Sequence, residues 1–171
     1  MFARRSVRTL LILCALPLSA SCTPKVDIEQ TVEILDSSGG WYDAGIVDGK
    51  NRIVPSVSFR LRKKQDVEIN GMALNVVFRH PPKEGSNTEE DFSEVYVQNA
   101  PFSEGNQTAL LTVRGTEGYT GDPPQTRMDL LEHSQFRDVR ARIYAKHSST
   151  QWVDLGTIDV PRQLITRSQS Q

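Results

Sequence analysis

Cysteine is nearly absent from this chain: its 171 residues hold two, Cys14 and Cys22, both close to the start. Whatever folds after Cys22 therefore has no disulfide framework of its own and no Cys-x-x-Cys metal or redox motif. Histidine is scarce as well. His80, His133 and His147 stand far apart, and no two have the spacing of a zinc site. There is no Gly-x-Ser-x-Gly elbow and no glycine-rich loop between a strand and a helix, so the usual signatures of serine hydrolases and phosphate cradles are missing. The apolar run Leu10 to Leu18 is about half the ~20 residues that a spanning helix needs. Neither sign of charge dominates, with 20 Lys+Arg against 21 Asp+Glu. That balance leaves no basic footprint for nucleic acid and no polybasic patch for anionic lipid.

What is present at the start is a three-part layout. Arg4, Arg5 and Arg8 precede the apolar run, and small residues then lead to Cys22, as in a secretory signal. Val7 and Arg8 depart from the twin-arginine pattern, so general secretion is the expected route. Leu18-Ser19-Ala20-Ser21-Cys22 resembles the bacterial lipobox, with its leucine one position early. The resemblance implies cleavage before Cys22 and a lipid on its sulfur, with two acyl signals enough for stable anchoring. Cleavage would remove Cys14 and three arginines, leaving 17 basic against 21 acidic residues, a net charge near −4. Thr23, where an aspartate would favour inner-membrane retention, implies the outer membrane, facing the periplasm or the surface. The expected divisions are a signal peptide over 1–21, a lipidated N-terminus and linker over 22–31, a domain over 32–165 and a polar frayed tail over 166–171.

Alternation dominates the rest. Val57, Phe59 and Leu61 alternate with Ser58, Arg60 and Arg62, and Met72, Leu74, Val76 and Phe78 recur every second residue. Val139, Ala141, Ile143 and Ala145 form the clearest period of two. Further strands are expected around Val26–Leu35, Phe92–Val97, Ala109–Val113 and Trp152–Val160, the last with Gly156 as a bulge. Ser37-Ser38-Gly39-Gly40, Asp48-Gly49, Asn70-Gly71, Pro81-Pro82, Gly105-Asn106 and Gly121-Asp122-Pro123-Pro124 read as turns. Gln125–Gln135 reads as a helix capped by Thr126 with Asp129 three residues on, turning Met128, Leu131 and Phe136 to the core. Trp152 is expected in the core too. The pattern predicts an all-β, immunoglobulin-like antiparallel sandwich of about seven strands with one short helix.

Residues of a kind that carries chemistry are few. Glu89-Glu90-Asp91 after Asn87 lacks calcium-loop spacing and reads as a solvated run. Glu132 with Asp138, or Asp43 with Asp48, are carboxylate pairs of the kind that any such chain offers. The aromatics are more specific. Trp41 and Tyr42 follow Ser-Gly-Gly, and Tyr119 lies among glycines, placing them as candidate interaction residues on loops. The competing reading folds Trp41 or Tyr119 back to plug one end of the sandwich.

The stretches GGWYDAGIVDGKNRIVPSVSFRLRKK, LNVVFRH, GYTG and QFRDVRARIYAKHSSTQWVDLGTIDVPRQL resemble an uncharacterised predicted bacterial lipoprotein family. Phe59-x-Leu61 and the strand ending at Phe78 are similar to FxLYD-type immunoglobulin-like domains, with Arg62-Lys63 where that motif has Tyr-Asp or Asn. The resemblance implies fold and location. The expected function is a non-enzymatic envelope module, held to a membrane by the lipid on Cys22, that binds an envelope protein partner. It would use no cofactor beyond that lipid and no nucleic acid. The alternative is a module for glycan or cell-wall fragments that stacks them on the loop aromatics.

Overall fold

The computed structural model describes residues 26–103, 105–148 and 150–165. The signal segment, Cys22 and the tail after Ile165 lie outside the described residues. Nine strands and two short helices follow in the order α1 (Ile28–Thr31), β1 (Val32–Val47), β2 (Lys50–Lys63), β3 (Gly71–His80), β4 (Glu90–Pro101), β5 (Leu111–Arg114), β6 (Tyr119–Gly121), α2 (Arg127–Glu132), β7 (Val139–Lys146), β8 (Val153–Val160) and β9 (Leu164–Ile165).

The period-two runs form the strands expected of them. Val57, Phe59 and Leu61 of β2 are fully buried, as are Leu74, Val76 and Phe78 of β3 and Ala141, Ile143 and Ala145 of β7. Each strand turns one face inward, so two sheets close over a single apolar layer. One sheet has the order β5-β2-β1-β9, with β6 also on β2; the other is β4-β3-β7-β8. Taken as A, B, C, C′, E, F and G for β1, β2, β3, β4, β5/β6, β7 and β8, this is the immunoglobulin-like order, A-B-E packed on C′-C-F-G. Pairings are antiparallel except for β9, which runs parallel to β1 through Trp41 with Leu164 and Tyr42 with Ile165.

Two strands exceed the expected seven: β9 is a two-residue addition to β1, and the other has a local reason. β5 and β6 pair with the same strand, at Ser56–Phe59 and Asn51–Ile53. Between them stands Pro55, which has no N–H to offer; its carbonyl instead accepts from the Gly115 amide at 2.8 Å. The two are one strand broken at a proline. Asp48 (φ 51°) and Gly49 (φ 78°) turn the β1–β2 hairpin in the left-handed region, as a two-residue type I′ connection requires. Gly156 (φ 137°) sits in the β8 bulge, where Ile143 pairs with Gly156 but Tyr144 pairs with Asp154.

Four expectations need correction. Residues 28–31 are helical where a strand was expected, because Asp27 caps the turn by accepting from the Gln30 amide, and Ile28 and Val32, one helical turn apart, are both buried. Ser38-Gly39-Gly40 is not a turn but the middle of β1. α2 has the expected capping box of Thr126 and Asp129, and Leu131 and Phe136 are buried as expected, but Leu130 is buried where Met128 was expected, and Met128 is half exposed. Trp152 is 41% exposed and not in the core.

Candidate functional site

Trp41, Tyr42 and Tyr119 were expected on loops, and the structure puts all three on strands. Trp41 lies in β1 with no exposed surface, in contact with Phe136 (4.7 Å between ring centroids), Tyr119 (5.5 Å) and Phe92 (6.4 Å). Tyr119 is half-buried in β6 and stacks on Phe92 at 5.6 Å; its hydroxyl accepts from the Arg137 amide at 3.0 Å. These rings close one end of the sandwich. Tyr42, the next residue along β1, faces the other way, and the Arg114 guanidinium covers its ring at 3.7 Å. Trp41 and Tyr119 are thus brought together as packing; Trp41 has no exposed face, and half-buried Tyr119 lines a cavity of about 390 Å³ with Gly121, Gln125, Leu130 and Phe136.

The remaining candidates are dispersed, and five of the carboxylates are paired within the domain. Glu89 pairs with Arg79 (3.6 Å) and Arg142 (3.4 Å), Glu90 with Lys83 (2.9 Å) and Arg137 (2.5 Å), and Asp91 with Arg79 (2.6 Å). Hydrogen bonds from Arg137 and Lys83 hold the Glu90 carboxyl at a pKa of about 2. The run after Asn87 is therefore spent on arginines and lysines of the same domain. Asp43 is paired with Arg127 at 2.5 Å, and Asp138 with Arg162 at 2.7 Å.

The three histidines serve three separate local tasks. His80 is buried against Phe92 (4.8 Å), and its Nδ1–H donates to the Asp138 carbonyl at 2.9 Å. Burial pushes its pKa below the ordinary 6.5, against that backbone bond and with help from Arg137. His147 Nδ1 meets the Gly71 carbonyl at 3.1 Å, and His133 Nδ1 accepts from the Gln135 amide. Among the described residues no three His, Cys, Asp or Glu side chains converge to hold a metal ion.

Two surfaces stand out that the sequence reading did not single out. The first is the edge strand β4, twelve residues long and paired along one side with β3. Its backbone groups on the other side are of the kind that an added strand can use. The opposite edge of that sheet, β8, is closely approached by β1: a Cβ on Gly39 would lie 2.2 Å from the Asp159 carbonyl oxygen. The second is an aromatic pair on the outer face, Tyr96 (61% exposed) and Trp152 (41%), in edge contact at 6.0 Å with Lys146 Nζ 5.8 Å from the indole. Tyr96 was within reach of sequence reasoning, since Val95 and Val97 on either side point inward.

No helix among the described residues is long and apolar enough to cross a membrane. Compared with protein-family models, curated proteins and solved structures, the chain matches none.

Proposed function

We propose that this protein is a lipid-anchored envelope protein whose immunoglobulin-like sandwich serves as a non-enzymatic interaction module. The observation that carries the reading is Cys22: the lipobox-like Leu-Ser-Ala-Ser before it, and no cysteine after it. Val26, where the described residues begin, is four positions beyond Cys22. At ~3.5 Å per residue that is a leash of roughly 14 Å, so the domain works close to its membrane.

The partner reading is supported by the β4 edge. Tyr96-Val97-Gln98-Asn99 in its second half carries no charge, whereas Glu90, Asp91 and Glu94 guard the first half against indiscriminate pairing. An extended segment of a partner would add along the backbone of the uncharged half, at Gln98 and Asn99.

Two measurements test this. Intact mass of the mature protein should show a diacylated or triacylated Cys22, and Cys22→Ala should leave the membrane fraction. Crosslinking from a probe at Gln98, in detergent-solubilised membranes, should capture a stoichiometric envelope protein. A Cys22→Ala protein that stays membrane-bound with a processed N-terminus would remove the anchor; an inert Gln98 probe would remove the β4 edge as the site.

A further inference from the structure

The outer face of the β4-β3-β7-β8 sheet is largely ionic. Arg79, Arg140 and Arg142 are matched there with Asp91, Asp159 and Asp154. The exception is the end where β3 starts and β7 stops, occupied by Tyr96, Trp152 and Lys146. Trp152 reaches from the start of β8 to a residue of β4, although β3 and β7 lie between those strands. Beside it opens a cavity of about 400 Å³, walled by Val26, Asp27, Ile28, Thr150, Gln151 and Trp152. One side of this cavity is thus formed by Val26 to Ile28, and Val26 is four positions beyond Cys22.

That juxtaposition has a direct consequence. Indole and phenol rings with an adjacent ammonium are the side chains that settle at a membrane–water interface, apolar body inward and polar tip in the headgroups. A leash of roughly 14 Å holds them within reach of that layer. We propose that Tyr96, Trp152 and Lys146 rest in the headgroup layer of the membrane that anchors Cys22, fixing the orientation of the domain on it. This inference rests on the lipid-anchor reading above. Charge at this end is mixed: Asp27 lines the cavity, Lys64 reaches the Glu29 carbonyl, and Lys146 lies over the Trp152 ring. The contact is accordingly interfacial and not a response to anionic lipid.

Fluorescence provides the test, because the other tryptophan, Trp41, is wholly buried. Full-length lipidated protein is reconstituted into phosphatidylcholine vesicles with and without brominated acyl chains, after intact mass has established the lipid on Cys22. The expected result is a blue-shifted Trp152 emission, quenched by bromolipid and shielded from aqueous iodide, with the bromolipid quenching lost in Trp152→Phe, where only buried Trp41 emits. Replacing part of the phosphatidylcholine by phosphatidylglycerol should leave the quenching unchanged; quenching seen only with anionic lipid would overturn the interfacial mode. Emission open to iodide and indifferent to bromolipid would overturn the inference while leaving the anchor intact. Protection from both quenchers would also overturn it, the pair then being covered by a second copy or another protein. A mature chain without lipid on Cys22 would overturn both readings together.

Discussion

Gly39 in β1 and Asp159 in β8 lie so close that a Cβ on the glycine would sit 2.2 Å from the aspartate carbonyl oxygen. The two strands belong to different sheets, so this is where one corner of the sandwich is pinched shut. The atom in the way is backbone, which cannot swing aside. Gly39→Ala is expected to destabilise the domain by about 1–3 kcal/mol or more through overpacking, read as a lower urea midpoint at constant m value. Asp159→Ala should be close to neutral, since the carbonyl stays and the lost partner, Arg140, is an exposed ion pair.

Trp41 supplies a second test of packing. Truncation to alanine should cost about 3–5 kcal/mol, the usual range for a fully buried aromatic. Its indole N–H is buried with no hydrogen-bond partner among the described residues, a group whose desolvation alone costs about 1–3 kcal/mol. Trp41→Phe should therefore retain much more stability than loss of volume alone would suggest. Thermal unfolding of both variants checks the contrast, and equal losses would show that the N–H carries no penalty.

Removing one oxygen at Tyr119 should be measurable. Tyr119→Phe keeps the stack on Phe92 but leaves the Arg137 amide without its acceptor. The expected cost is about 1–2 kcal/mol, with the fold retained by circular dichroism and faster hydrogen exchange at Arg137.

His80 makes stability depend on pH in a defined window. Its folded-state pKa lies below the ordinary 6.5 because burial disfavours the charged ring. The unfolded chain then binds the proton first, so stability is at full value above 6.5 and falls as pH drops from there toward the folded pKa. His80→Gln should be less stable at pH 7.5 but flatter between pH 7 and 5.5. Urea titrations of both proteins across that range check it; parallel curves would exclude His80 as the source.

The strands legible in the sequence were those with one wet face and one dry face. β2, β3 and β7 alternate cleanly because polar residues point away from a shared core, and Thr126 with Asp129 marked its helix because capping is a local bond. Gly39-Gly40 misled for a physical reason. A glycine that permits a turn and a glycine that permits close approach look the same in one dimension, and here both make room, one for Asp159 and one for Ile165. That error carried Trp41 and Tyr42 onto a loop. Trp152 misled in the opposite sense: large apolar side chains belong in the core unless a surface needs them, and that surface is assembled from β4, β7 and the start of β8. The Glu89–Asp91 run could be judged only once the cations facing it, from β3, β7 and the stretch before β7, were in place.

The parallel pairing of β9 with β1 governs how the domain would respond to force. The Trp41 amide donates to the Gln163 carbonyl at 2.7 Å, and both strands run away from the Val26 end. Tension between an N-terminal attachment and a load beyond Ile165 pulls the two strands past each other along their length. Their bonds are then loaded in shear, together rather than one after another. The clasp is short, two residue pairs, so it would let go first while the long β1–β2 ladder still held. A domain built this way and held at its N-terminal end would yield a few residues of slack before its core is stressed.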